Sequence, residues 1–206
     1  YAFFKLNIAY FFILLYNMKN KIALTNGIIF TGNNTFTHKA LLIEGERIHS
    51  IVEGTDIPVE FAIIDVAGKN VCPGLIDLQI YGAGDQLYSA ELSPESIYQI
   101  EQSLVQQGCT SFYLTLATNS IALFKKAIDV YKSAQPKVSL GLHLEGPFLN
   151  PTKRGAHPAE LIREATLPIL KDLLANHNGA VQMMTVAPEL MQDECIAYFQ
   201  AEEILI

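Results

Sequence analysis

Four times between Leu75 and Ile206 the chain alternates a short apolar run with a longer amphipathic one, and this alternation constrains the fold most. Leu75 to Tyr81, Ser111 to Ala117, Val138 to Glu145 and Val181 to Val186 read as strands. Ser93-Pro94-Glu95 opens the first helix with an N-cap hydroxyl, a proline in the first turn and an early acid. Ile97, Ile100 and Leu104 form its buried face, and Gly108 closes it. Further helices are expected from about Ser120 to Ser133, from near Leu167 and after Pro188. Strand-helix units in series imply a parallel sheet with right-handed crossovers. Four units are half of an eight-fold (β/α) barrel of the TIM type, which takes about 250 residues in full. The segment therefore reads as the first half of such a barrel, or as a small open α/β sheet. The chain is expected to reach Ile206 inside its last amphipathic helix, without a cap.

Upstream the rhythm differs. Ile22 to Thr31, Ala40 to Val52 and Phe61 to Val66 have β character and are broken by Asn26-Gly27, Asn33-Asn34 and Glu44-Gly45 turns. The expected organisation is a small β-sandwich module over residues 18–71, followed by the partial barrel over 72–206. Residues 1–17 are rich in Phe, Tyr, Ile and Leu, with Lys5 as the only charge and no small-x-small cleavage site. For a membrane span the segment is short and interrupted by Lys5 and Asn7. It is expected to be a leader upstream of a natural start at Met18, with a membrane anchor as the alternative.

Half of the 206 residues are hydrophobic, which fits a chain with buried parallel strands. A net charge of -7 with no basic stripe argues against a nucleic-acid partner. Cys72, Cys109 and Cys195 are scattered, without C-x-x-C spacing, and suit free thiols in a reducing cytoplasm. Cys109, after Gly108 at a helix-to-strand turn, reads as a packing residue.

The chemistry concentrates in Gly141-Leu142-His143-Leu144-Glu145-Gly146-Pro147-Phe148. Leu140, Leu142 and Leu144 alternate, so Glu145 falls at the carboxyl end of a strand, where barrel enzymes place their reactive groups. A carboxylate beside a Gly-Pro turn suits a divalent metal; it also suits a solvated loop after a buried strand. A second segment, Pro73-Gly74-Leu75-Ile76-Asp77-Leu78-Gln79-Ile80-Tyr81-Gly82, resembles the first barrel strand of the amidohydrolase superfamily. That superfamily has His-x-His at the strand end, where this chain has Gln79 and Tyr81. Amide and neutral phenol are poor ligands for a borderline-soft metal, so one position of the usual two-metal site is lost. Gln79 suits a hydrogen bond to substrate or metal-bound water, or to loop backbone. Gly82-Ala83-Gly84 lacks the third glycine of a dinucleotide fingerprint, since Leu87 stands there.

With Lys153-Arg154-Gly155-Ala156-His157-Pro158 and Val186-Ala187-Pro188-Glu189, these motifs together resemble the N-acetylglucosamine-6-phosphate deacetylase family from about Met18 onward. The resemblance implies that Glu145 is the metal ligand from the third strand, and that Ala156 and His157 contact the sugar. Gln79 is implied to sit beside the metal-bound water or the acetamide. It further implies one divalent ion, zinc first, a phosphorylated amino-sugar substrate and a cytoplasmic homodimer without membrane or nucleic-acid partners. The remaining ligands are histidines of later strands, and the general base is an aspartate expected beyond Ile206. With Glu145 alone as protein ligand, these 206 residues are expected neither to hold metal firmly nor to turn over substrate.

His143 reads as an interior histidine with a hydrogen-bonded tautomer. Lys153 and Arg154 read as a solvated loop pair that could lean toward the sugar phosphate. His177 reads as a helix C-terminal residue favoured by the macrodipole. His38 and His49 have no evident role. The rival assignments are an amidohydrolase acting on another N-acyl or cyclic amide, and a non-catalytic barrel remnant.

Overall fold

A computed structural model describes residues 21–206. The expectation of a leader over residues 1–17 falls outside the described residues. Two compact units divide between Pro73 and Gly74.

The described residues of the first unit form strands and no helix: β1 (Lys21–Thr25), β2 (Ile28–Phe30), β3 (Thr35–Phe36), β4 (Lys39–Glu44), β5 (Arg47–Glu53), β6 (Ala62–Asp65) and β7 (Asn70–Val71). They form a four-stranded sheet in the order β5-β4-β1-β6 and a three-stranded one in the order β3-β2-β7. Each sheet is mixed, with β1 antiparallel to β4 and parallel to β6, and β2 antiparallel to β3 and parallel to β7. Ala23, Ala40, Leu42 and Phe61 form the small core, with Val52 and Ile57 packed on it. The Asn26-Gly27 and Glu44-Gly45 breaks separate strands as expected. The two-residue strands β3 and β7 carry too few residues to show a period.

The second unit begins with β8 (Leu75–Ile80) and the short hairpin β9 (Gly82–Ala83) and β10 (Gln86–Leu87). It continues α1 (Pro94–Gln106), β11 (Cys109–Ala117), α2 (Ile121–Ala134), β12 (Ser139–Glu145), α3 (Leu167–Leu174), β13 (Val181–Thr185) and α4 (Asp193–Ala201). The strands pair in sequence order, β8-β11-β12-β13, and every pairing is parallel. The chain is thus α/β, and the four strand-helix units stand where the sequence pattern placed them.

Local chemistry explains the helix ends. Ser93 sits in extended backbone and accepts the Ser96 amide, while Pro94 occupies the first turn, where its missing N–H costs nothing. Ser120 accepts the Leu123 amide in the same way. One apolar stripe per helix meets the sheet. Ile97, Ile100, Phe124, Ile128, Leu170, Leu173 and Phe199 join Phe112, Leu114, Leu116, Leu142, Leu144 and Met184 in a single buried cluster. Burying each such side chain contributes roughly 1.5–3 kcal/mol.

Because strand side chains alternate, the opposite face of the sheet receives Thr115, His143 and Glu145. The same sheet that builds the core therefore aims its polar residues the other way. β8 departs from this economy: Leu75, Ile76 and Leu78 are 61, 62 and 58% exposed.

The helix expected after Pro188 is α4, which starts at Asp193 behind a 3-10 turn (Pro188–Leu190). One expectation is corrected: the chain does not reach Ile206 inside that helix. It ends at Ala201, Glu203 turns with positive φ, and Leu205 bridges in parallel to Met183 on β13. The Leu205 amide donates to Gln182 and its carbonyl accepts from Met184, so backbone pairing won over helical periodicity.

Candidate active site

Glu145 ends β12, between Ala117 of β11 and Thr185 of β13. Its backbone is fixed from both sides. The Glu145 carbonyl accepts the Thr118 hydroxyl at 2.9 Å, and the Gly146 amide donates to the Thr185 carbonyl at 2.9 Å. Gly146 has a φ of 83°, and a Cβ there would lie 2.2 Å from the Thr118 hydroxyl oxygen. Only glycine meets both conditions. The chain then passes a cis Gly146-Pro147 bond and leaves the sheet. A strand that ends in this turn delivers its last side chain, Glu145, to the sheet's carboxyl end.

Three other side chains converge on that carboxylate. The Gln79 amide nitrogen donates to Glu145 Oε1 at 3.0 Å. The Tyr81 phenol donates to Glu145 Oε2 at 2.6 Å. The same Gln79 nitrogen donates to the Tyr81 oxygen at 2.6 Å, which closes a ring. His157 Nε2 stands 3.8 Å from Glu145 Oε1, beyond hydrogen-bond reach, with both side chains less than a fifth exposed. Gln79 and Tyr81 share a face because they are two residues apart on an extended chain. Burial, and next the hydrogen bond to Glu145, hold the Tyr81 phenol above its ordinary pKa, so it remains a donor at neutral pH.

The loop that carries His157 is built separately. Asn150 caps the turn Pro151–Lys153 by accepting the Thr152 amide, and its side-chain nitrogen reaches Glu189 at 2.9 Å. Glu189 belongs to the segment after β13, so the two loops are clasped, and that hydrogen bond draws its carboxyl below the usual range. Arg154 spends its guanidinium on the carbonyls of Gly155 and His157. It braces its own loop, whereas Lys153 and Ala156 are exposed.

His143 lies one strand turn below Glu145 and is 3% exposed. Its Nε2 meets the Thr185 hydroxyl at 2.8 Å and its Nδ1 the Thr115 hydroxyl at 3.3 Å. Burial lowers its pKa, so the ring is neutral near pH 7 and works as a cross-strand strut. His177 differs from its expected setting. α3 ends at Leu174, and the buried imidazole instead meets Glu202 beyond α4 at 3.1 Å.

The structure thus brings Gln79, Glu145 and His157 together and adds Tyr81, which the sequence marked only as a poor ligand. Its position two residues after Gln79 was the available signal. Among the described residues no group of three or more His, Cys, Asp or Glu side chains stands together. Glu145 still has a free acceptor direction on each oxygen, because a carboxylate offers about four. It fits one corner of a metal shell. A cleft of about 350 Å³ opens between Phe148, Ala165, Ala187 and Met191, and none of these four site residues lines it. The chemistry belongs to the strand ends, where the titratable groups are. No helix among the described residues is long and apolar enough to cross a membrane.

Comparison with known proteins gives a consistent set of relatives. The family model for the NagA composite domain matches residues 22–71. An N-acetylglucosamine-6-phosphate deacetylase of Haemophilus influenzae is 34% identical over 172 residues, 82% of this chain and 45% of that protein. The Homo sapiens protein of the same name is 36% identical over 134 residues, covering 61% of this chain and 33% of its own. The crystal structure of the Pasteurella multocida deacetylase superposes with a TM-score of 0.80 at 31% identity, over 89% of this chain and 49% of the other. The chain spans about half the length, or less, of the relatives it matches.

Proposed function

From the premise that this chain matches the N-terminal portion of the N-acetylglucosamine-6-phosphate deacetylase family, we propose that it supplies the first part of a site hydrolysing the acetamide of N-acetylglucosamine 6-phosphate. The products are glucosamine 6-phosphate and acetate. The observation that carries this is the convergence of Gln79 and His157 on Glu145, a strand-end carboxylate held by the Gln79 and Tyr81 donors.

Glu145 is the protein ligand these residues offer to one divalent ion, zinc first. A bound divalent ion supplies a water of near-neutral pKa and stabilises a developing oxyanion. The chain's own groups do the rest of their work by position. Gln79 keeps the carboxylate in place and presents its free amide oxygen to the acetamide N–H. His157 and Ala156, on the braced loop after β12, face the sugar. One protein ligand is too few for a tight tetrahedral site, so the remaining ligands and the proton-shuttling aspartate come from outside residues 21–206. Consecutive parallel strands with their helices in one buried cluster support a half-barrel, with the two small sheets of the first unit as its accompanying sandwich. A cytoplasmic homodimer is the assembly proposed.

The test is acetate release from N-acetylglucosamine 6-phosphate by the complete gene product that contains these residues. Release is expected to be chelator-sensitive and to fall by about 100-fold or more in Glu145→Gln, beyond what outer-shell changes cost. Deacetylation that survives that substitution unchanged contradicts the proposal.

A further inference from the structure

The ring formed by Gln79, Tyr81 and Glu145 has a geometry that bears on how the carboxylate can meet a cation. Two donor atoms, Gln79 Nε2 and the Tyr81 oxygen, lie 2.6 Å apart. Each donates to a different oxygen of Glu145, at 3.0 and 2.6 Å. That is the pattern in which an arginine fork grips a carboxylate, two parallel donors against two acceptors. The proton count agrees. The phenol has one hydrogen and gives it to Oε2. The amide has two, and gives one to the phenol oxygen and one to Oε1. No donor in the ring is left over.

A cation bound by both oxygens of a carboxylate must lie along the edge they share. Here the fork stands on that edge. What remains is one outer lone pair on each oxygen; these two point away from each other, so one cation can use only one of them, and Oε1 is the oxygen turned toward the His157 loop. We propose that Gln79 and Tyr81 form a donor fork closing the two-oxygen edge of Glu145, so that this ligand gives a metal one oxygen and discriminates against cations that need two.

Resting as it does on Glu145 being a metal ligand, the inference makes Tyr81 a positioning residue that sets metal choice. Zinc takes one carboxylate oxygen within a tetrahedral shell. Calcium gathers six to eight oxygens and readily takes a carboxylate through both. The fork favours the first and penalises the second. Removing the phenol reopens the shared edge and leaves Glu145 itself untouched.

The experiment is a 1H–15N NMR titration of the complete gene product that contains these residues with Zn2+ and, separately, Ca2+, following the amides of Glu145 and Gly146. NMR reads weak binding directly and does not depend on turnover. Tyr81→Phe is expected to raise the affinity for Ca2+ relative to Zn2+ by about tenfold, the scale of one charge-assisted hydrogen bond. Gln79→Leu removes the other donor and is expected to shift the ratio in the same direction; it also serves if Tyr81→Phe loses the folded amide pattern. Glu145→Gln is expected to remove the response to both ions. An unchanged ratio in both fork variants, with the response still lost in Glu145→Gln, overturns the fork and leaves the metal ligand standing. No Glu145-dependent response to either ion in the unsubstituted chain overturns both.

Discussion

Single side chains in this molecule are legible in proportion to how local their partners are. Ser93 and Ser120 announce themselves as helix caps because the amides they accept lie three residues away. Tyr81 reads as a failed ligand until Glu145, 64 residues on, is seen accepting its proton. Tyr131 is the clearest case of a residue whose setting decides its chemistry. Its hydroxyl donates to Ser139 at 2.9 Å, and burial pushes the phenol up to about 12. The charge of Glu101 pushes in the same direction. The folded chain therefore binds that proton more tightly than the unfolded chain, whose phenol titrates near 10. The resulting stability is intact below pH 10 and is lost as pH rises through 12. Urea unfolding at pH 10 and pH 12 checks this. The unsubstituted chain should lose about 2–3 kcal/mol more than Tyr131→Phe over that interval.

At the scale of elements, the strand and helix periods carried most of the information. β8, β11, β12 and β13 and the four helices of the described residues occur where alternation and caps placed them, to within a few residues. The two-residue strands β3, β7, β9 and β10 did not show, since a period needs more residues than they have. The return of Leu205 to β13 did not show either, because it depends on a backbone partner and not on a pattern. Glu101 is the element-scale counterpart of Tyr81. On the helix it sits beside the apolar stripe, yet it is 8% exposed. Its Oε1 accepts three amides at the entry to β12, from Lys137, Val138 and Ser139, at 2.8, 2.7 and 3.1 Å. One carboxylate thus ties α1 to the strand that ends at Glu145. Glu101→Ala leaves those amides without that acceptor and should cost about 3 kcal/mol or more, with Glu101→Gln costing less than half as much. Chemical denaturation of the two variants separates these outcomes; equal, small losses would show that the tie contributes little.

For the whole molecule, the α/β class and the strand-helix succession followed from periodicity, whereas the site needed the motifs. Gln79, Glu145 and His157 lie on three separate segments, and no spacing rule brings them together. The parallel sheet does so, by setting the carboxyl ends of β8 and β12 side by side across β11. The described residues build one polar corner of a site, with a fixed carboxylate, a donor fork and a braced histidine loop. In the complete protein, Glu145 is proposed to hold the metal. Zinc retained after dialysis by the complete gene product, set against its Glu145→Gln variant by elemental analysis, tests this most directly. Close to one equivalent in the unsubstituted protein and a loss of most of it in the variant is the result expected. Equal retention in both would place the metal elsewhere.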